Sequence, residues 1–533
     1  MAATLFDAYL AGEARAFFPA WLGDPDARER AVRASQRPLS SDVLACLREQ
    51  NQRLGPSSAR NAHLAELEAG ARVVVTGQQV GLFLGPLYTV YKAASAIRLA
   101  RRLREETGTP VVPLFWLQTE DHDLPEIARA VVPRADEAPL VLAPEIDAGN
   151  RRSIAQLTLP AAVSGCLEQL RLELEPLPHG PDHLAKLGQH YAQGRGWGEA
   201  FAGLLAELFE PEGLLVLDPR DRRLAQRAEP IYRQVIERAP ELEHALVAGQ
   251  AALEQAGFAT TIHVRRGSPL CFYHPEGAQG ARVRLQVTRD GYLDPSSQER
   301  HSQRDLLQAL ERDPLTFSSS ALLRPIIQDT LLPTAAYVGG PAEVAYFAQL
   351  PPLYAAFGVP PPLIAPRARL CLLERRCSRG LAQLGLTPQD ISRGEDTLLA
   401  ELSAAAPTSA LPSAEAFELA LGHGLERVLG AALFDLPDAM RRQLGPQIDK
   451  TRAKLQLSTH KLSRHYGSAL ARTDEQRVAL VRRLGRLLYP EGAPQERVFG
   501  ISYFAARYGA RALIERVLSA IDPYVATPLE LHL

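Results

Sequence analysis

The chain has 533 residues, 46% of them hydrophobic and 23% charged, with a formal net charge of −2. That is enough apolar material for several buried cores and too much for a disordered chain, and a charge so near zero excludes a whole-protein nucleic-acid binder. The five cysteines, scattered and never in a C-x-x-C pair, indicate neither a disulfide framework nor a zinc site, so no zinc is expected.

The opening stretch "MAATLFDAYLAGEARAFFPAW" lacks the basic and continuous apolar regions of a signal peptide. No later run reaches the ~18 apolar residues of a membrane span, and the expected compartment is the cytoplasm, with no membrane partner. Residues 1–70 read as helical. "ARVVVTG" then predicts a buried strand, and "PLYTVYKAASAIRLARRLREETG" a helix, with Leu87, Val90, Ala94 and Ile97 on one face, Pro86 at its first position and Gly108 as its stop. "PVVPLFWLQ" is the next strand, so residues 72–118 form one strand–loop–helix–strand crossover. "GLLVLDPRDRRLAQRAEPIYRQVIERA" repeats the alternation as a strand, an Asp-Pro helix start and a long helix. "TAAYVGGPAEVAYFAQL" repeats it again, with a tyrosine five residues after a proline in both units (Tyr91 after Pro86, Tyr346 after Pro341). "APRARL" at 365–370 reads as the last strand. The fold class is α/β, a Rossmann-like parallel-sheet core over 1–373 with N-terminal helices and inserted segments.

From Glu374 to Leu488 the chain turns to helices rich in Ala, Leu and Arg, broken near "APTSALPSAEAF". Lys450 to Arg486 holds ten basic residues against two acidic ones, with Leu455 and Leu462 one heptad apart, and predicts an amphipathic hairpin or coiled coil. Its basic face is either solvated surface or a site for an acidic partner. Residues 489–533 are expected to pack back on the core.

Ligands of open parallel sheets bind beyond the carboxyl ends of the strands. The first two strands end in Thr76-Gly77-Gln78-Gln79 and Glu120-Asp121-His122-Asp123; on neighbouring strands these groups lie roughly 5–10 Å apart and face one ligand. Gly77, Gly81 and Gly85 allow close backbone approach before a helix N-terminus, where an anion is the natural occupant, unless the glycines serve only a tight turn. Lysine is scarce, five among 59 basic residues, so Lys92, about 9 Å up that helix, draws attention as a group leaning back toward the anion; Tyr88 shares its face. Among the acids, His122 can serve as a base toward an amine, and a carboxylate can hold Mg²⁺ or an ammonium. The plainer alternative makes Asp123 a helix N-cap with His122 simply hydrogen-bonded. Glu343, after Gly339 and Gly340, is either a capping residue or an amine ligand. Arg324 and Gln328, one helical turn apart, either grip a carboxylate or face solvent. Asp218 and Arg367 are weaker candidates of the same kind.

Taken in order, "TGQQVGLFLGPLYTVYK", "VPLFWLQTEDHDLPEI", "RPIIQDTLLPTAAYVGGPAEVAYFAQL", "APR" and "LYPEGAPQERVF" resemble the family of bacillithiol biosynthesis cysteine-adding enzymes. The resemblance implies a Rossmann-like core and a helical coiled-coil arm (374–488) that makes a homodimer. It further implies a ligase that joins L-cysteine to the amine of glucosaminyl-malate as the last step of bacillithiol formation. Its ligand-site residues carry over to Thr76, Gly77, Gln78, Gln79, Gly81, Gly85, Tyr88, Lys92, Glu120 to Asp123, Gly339, Gly340 and Glu343. ATP is the expected activator, because an amide does not form spontaneously from a carboxylate and an amine in water. The alternatives are another Rossmann-type nucleotidyl or glycosyl transferase, and a dimeric scaffold without catalysis.

Overall fold

The computed structural model describes residues 4–134, 138–147, 149–260, 262–405, 412–434, 436–471 and 475–533. They fall into two units: Met1–Val132 with Val141–Leu370 and Phe499–Leu531, and Pro133–Leu140 with Cys371–Val498 and His532–Leu533.

The first unit is built on five parallel strands: β1 (Arg72–Gln78), β2 (Val111–Leu117), β3 (Leu215–Leu217), β4 (Thr334–Gly339) and β5 (Leu363–Pro366), in the order β5-β4-β1-β2-β3. This is a doubly wound Rossmann-like sheet. The chain moves outward from β1 through β2 to β3, then returns to the other side of β1, so the winding reverses between β1 and β4 and leaves a crevice at their carboxyl ends. The strands read as continuous apolar runs because both faces are covered: every residue of β2 and of β4 is buried. Helix α1 (Leu87–Thr107) buries Leu87, Val90, Ala94 and Ile97, and stops at Gly108, whose φ of 66° suits glycine. Pro86 is its N-cap, one position earlier than its reading as the first helical residue.

Two boundaries differ from the sequence expectation. Helix α2 (Arg222–Glu237) is capped by Asp221, whose side chain accepts from Arg223 N at 2.9 Å. The Asp-Pro pair does not start it, because Asp218 is engaged by Thr119 Oγ1 at 2.5 Å and Arg220 N at 3.0 Å. The last strand of the sheet is Leu363–Pro366, so most of "APRARL" follows it, with Arg367 N donating to Gly339 O at 2.8 Å.

The second unit contains α3 (Arg375–Leu384), α4 (Glu395–Ala405), α5 (Ala414–Phe434), α6 (Asp438–Ala471) and α7 (Glu475–Leu488). Both α4 and α5 pack along the 34-residue α6, a coiled-coil-like arrangement. The expected break near "APTSALPSAEAF" includes 406–411, which lie outside the described residues. The expected seam is corrected: Leu462 is exposed and Leu455 half-buried, whereas Thr459, Ser463 and Ser468 are buried. Small residues set this seam because they let the helices approach closely. Ser463 Oγ donates to Ala414 O at 2.7 Å, and a Cβ on Gly467 would stand 3.0 Å from that of Ala414.

Candidate functional site

Side chains alternate faces along extended backbone, so Gln78, which ends β1, and Gln79, which follows it, point to different neighbourhoods. Gln78 turns toward the β1/β4 crevice, where its Oε1 accepts from Lys92 Nζ at 2.9 Å and its Nε2 approaches Tyr88 OH at 3.5 Å. Gln79 turns toward the end of β2, where its Nε2 donates to Asp121 Oδ2 at 2.8 Å and Glu126 Oε2 at 2.7 Å. Since β1 and β2 are direct neighbours, with Gln78 level with Leu117, the glutamine turn and the acidic cluster share one rim.

A connected polar network lies beneath the crevice. Lys92, 2% exposed, donates to Gly77 O at 2.8 Å and to Gln78, and pairs with the Glu343 carboxylate. Tyr337 OH donates to Glu343 Oε1 at 2.6 Å, and Gly340 N to Glu343 Oε2 at 2.8 Å, so Glu343 is a capping residue as well as the lysine's counterion. Arg324 donates to Tyr346 OH at 2.7 Å, Tyr337 OH at 3.3 Å and Gln328 Oε1 at 2.8 Å, and Gln328 passes a hydrogen bond to Asp329 at 2.8 Å. Arg367 is buried, with its guanidinium 5.5 Å from the Tyr88 ring centre. Burial lowers the Lys92 ammonium, opposed by the Glu343 charge. Burial alone would raise the Glu343 carboxyl, but the charge and hydrogen bond of Lys92, with those from Tyr337 and Gly340, outweigh it and leave it below the usual range.

Three expectations change here. The Lys92 ammonium does not lean toward an anion outside, because its three N–H donors are used by Gly77, Gln78 and Glu343. Arg324 and Gln328 do not face solvent; both are buried inside the network. Thr76 is fully buried and ties β1 to β4 through Oγ1 donation to Val338 O at 2.8 Å. Lys92 thus feels the Glu343 charge and, against it, those of Arg367 and Arg324, while Gln78, Tyr88 and Gly340 are the partly exposed residues above the network.

The glycine loop is also built for a task other than cradling an anion with its glycines. Val80, Leu82, Phe83 and Leu84 are buried; Trp197 Nε1 donates to Val80 O at 2.7 Å, and Leu84 N donates to Tyr191 OH at 3.1 Å. The first helical N–H, on Leu87, is used by Phe499 O at 2.7 Å. A Cβ on Gly81 would lie 2.9 Å from Gly85 Cα, and one on Gly77 2.8 Å from Trp116 O, so these glycines serve backbone packing. Phe83 (φ 50°) and Leu84 (φ 73°) hold left-handed backbone without being glycine, strain that the packing of their side chains offsets. Gly85 (φ 63°, ψ −154°) occupies a region open essentially to glycine alone. Gly85→Ala is therefore expected to cost about 1–3 kcal/mol, read as a lower urea midpoint.

At the end of β2 the acids diverge. Glu120 turns away to accept from Ser319 Oγ and N. Asp121 accepts from His122 N at 2.7 Å, from Gln79, and from the Arg282 guanidinium. Arg282 Nε also donates to His122 Nδ1 at 2.7 Å, so the Nδ1 lone pair is occupied and the neutral imidazole carries its hydrogen on Nε2. In this arrangement His122 is held by a hydrogen bond to its Nδ1, as in the plainer of the two expectations. Asp123 is the N-cap of a short helix, accepting from Glu126 N at 3.3 Å. Burial would raise the Asp121 carboxyl, but the Arg282 charge and the hydrogen bonds from Gln79 and the His122 backbone N–H bring it well below the usual range. Glu126 moves the other way: partial burial of its carboxyl, with the charges of Asp123 and Asp121, raises it against the Gln79 hydrogen bond.

Glu126 and Arg282 were not among the sequence candidates. The first has a faint signal, three residues after the cap Asp123; the second sits in "GARVRL", with no local pattern. Among the described residues, no group of three His, Cys, Asp or Glu is arranged to hold a metal ion, and no helix is long and apolar enough to cross a membrane.

A carboxyl with a raised pKa loses its charge earlier as pH falls. If Glu126 contributes to holding a cationic ligand, affinity falls on the acid side from above the ordinary carboxylate range, and Glu126→Gln removes that limb while leaving the neutral-pH melting point within about 1 kcal/mol of stability. Titration of ligand affinity between pH 4 and 8, in both forms, reads this out.

Similar proteins carry the same architecture. The family model described as the bacillithiol biosynthesis BshC N-terminal Rossmann-like domain matches residues 3–368, and that of the BshC C-terminal coiled-coil domain matches 370–527. A relative from Koribacter versatilis, named "Putative cysteine ligase BshC", is 34% identical over 510 residues, covering 95% of this chain and 93% of its own. Relatives of the same name from Salinibacter ruber (33% identical; 93% and 90% covered) and Heliobacterium modesticaldum (32% identical; 97% and 95% covered) match over nearly the whole length. With both domain models matched in order and such relatives aligned almost end to end, the chain belongs to the BshC family of bacillithiol biosynthesis.

Proposed function

We propose that this protein is a cysteine ligase that forms an amide between the carboxyl group of L-cysteine and the amine of glucosaminyl-malate, completing bacillithiol in the cytoplasm. The names of its relatives support the ligase class. The observation that carries the reading is the divergence of Gln78 and Gln79, which sets a positive crevice beside an acidic patch within one residue of chain. Amide synthesis needs both: a place for carboxylate or phosphate charge, and a place for an amine that must arrive as a cation and react neutral.

In this reading Gln78, Tyr88 and Gly340 present the surface of the crevice and receive the anionic group, with the Lys92 ammonium held below by Gly77, Gln78 and Glu343. Asp121 and Glu126, aligned by Gln79, receive the glucosamine amine. The carboxyl of Glu126, raised above its usual value where that of Asp121 is lowered, is the better matched of the two to accept a proton from that amine. His122 donates from Nε2. ATP with Mg²⁺ supplies the activation of the cysteine carboxyl group when bound. The arm's exposed Leu419, Val428, Phe434 and Leu457 favour a homodimer through the second unit.

Incubation of the purified protein with L-cysteine, glucosaminyl-malate, ATP and Mg²⁺, followed by mass detection, tests the reading. The expected product has the combined mass of the two substrates less one water, and is absent without ATP. Binding of both substrates with no product would favour the scaffold, and product without ATP would remove ATP from the account.

A further inference from the structure

Arg282 and Arg284 share the ring of Phe272, their guanidinium carbons 4.2 and 4.3 Å from its centre. In an extended stretch, residues two apart project to one side, which places both arginines on the same ring. Their charges fare differently. Arg282 spends its donors on Asp121 and His122. Arg284 is half-buried and, among the described residues, has the Phe272 ring but neither a hydrogen-bond acceptor nor a carboxylate. Burial and the positive charges of Arg265 and Arg282 lower its guanidinium, and only the Cys271 thiol acts in the other direction. Arg265 is exposed and likewise lacks a carboxylate partner. Placing Arg284, with no acid of its own among the described residues, on a partly dry aromatic face that Arg282 already covers is unfavourable, and an incoming anion would relieve it.

The position of this surplus matters. Arg282 touches Asp121 with one end of its guanidinium and covers Phe272 with its face, and Arg284 meets that same ring. A molecule with an amine at one end and carboxylates at the other matches that order: amine, acids, Arg282, then Arg284. The buried Arg324, committed to Tyr346, Tyr337 and Gln328, and the buried Arg367 are less suited to that contact.

We propose that Arg284, seconded by Arg265, reads a malate carboxylate of the acceptor substrate, while the amine of the same molecule meets Asp121 and Glu126. The assignment rests on the ligase reading for the identity of the substrate. Arg284 is thereby a specificity residue, set apart from the groups around the reacting amine.

Calorimetric binding of glucosaminyl-malate and of its uncharged dimethyl ester to the full-length protein tests this without needing turnover. The wild type is expected to bind the diacid about tenfold or more tightly than the diester. Arg284→Ala should remove most of that preference, weakening the diacid about tenfold and leaving the diester unchanged; Arg284→Lys should restore part of it. Arg265→Ala, at an exposed position, should weaken the diacid by a smaller factor with an unchanged melting point. Equal losses for diacid and diester, no loss in either arginine variant, or no preference in the wild type would overturn the assignment. So would displacement of the effect by ATP but not by malate, which would make the anion a phosphate. Discrimination between diacid and diester without amide product would instead sink the ligase reading and leave this one standing; product formation with wild-type affinity in Arg284→Ala would do the reverse.

Discussion

Glu343→Gln is expected to lower the stability of the Rossmann-like unit by about 3–5 kcal/mol, because it keeps the shape of the side chain but removes the counterion of a buried lysine and leaves one acceptor oxygen where Tyr337 and Gly340 used two. Lys92 would then sit 2% exposed among the positive charges of Arg324 and Arg367. Lys92→Met in the same chain should recover much of the loss, since the pair is then replaced rather than broken. The pH dependence distinguishes this from general damage. In Glu343→Gln the folded-state pKa of Lys92, already below its ordinary value, falls further, so the unfolded state binds more protons and stability rises as pH climbs toward the unfolded lysine value of about 10.4. In the wild type, the depressed Glu343 carboxyl contributes stability that is present above the ordinary carboxylate range and lost as pH falls through its folded value. Urea midpoints between pH 4 and 10 for the three proteins measure both signs. A loss in Glu343→Gln below 1 kcal/mol would mean that the pair is not buried as described.

Asp121→Asn should reduce kcat/KM by about 10²- to 10³-fold with the fold intact. Loss of one partner from a desolvated charge pair costs about 2–5 kcal/mol, and here the stranded partner, Arg282, is the group that fixes the His122 tautomer. Asparagine keeps the shape and one acceptor oxygen, enough for His122 N or Gln79 but not for both, so Asp121→Glu, which keeps the charge, serves as the control that separates charge from geometry. The wild-type Asp121 carboxyl, held well below its usual range, stays ionised throughout the neutral region, and its contribution to stability is lost only as pH falls through that depressed value. Activity within twofold of wild type would remove Asp121 and Arg282 from the site.

Much of the positioning was legible because it depends on local pattern. The apolar runs of β1 and β2 announce buried parallel strands, and parallel strands bring their carboxyl ends to a common rim, which is why the Gln79–Asp121 contact follows from reading "TGQQ" and "TEDHD" together. What stayed hidden depends on return topology. Nothing near Lys92 shows that β4 comes back beside β1 and places Glu343 on the ammonium, so a scarce lysine looked like an anion ligand when it is the buried half of an ion pair. The glycines were ambiguous for a similar reason: close approach of Gly81 to Gly85 and of a ligand to either would select the same residue. Arg282, 160 residues from His122, decides that imidazole's tautomer and leaves no trace in local spacing. In the arm, the heptad leucines were a misleading signal, because small residues such as Gly467 permit a tighter helix contact than leucine does.

A crystal structure with glucosaminyl-malate and L-cysteine bound is the most direct test of whether one ligand set bridges the two neighbourhoods that Gln78 and Gln79 separate. The expected result places the glucosamine amine within hydrogen-bond reach of Asp121 or Glu126, and the cysteine carboxylate in the β1/β4 crevice beside Gln78, Tyr88 and Gly340. Ligands that engage neither group, or an amine seated away from the Asp121–Glu126 pair, would contradict it.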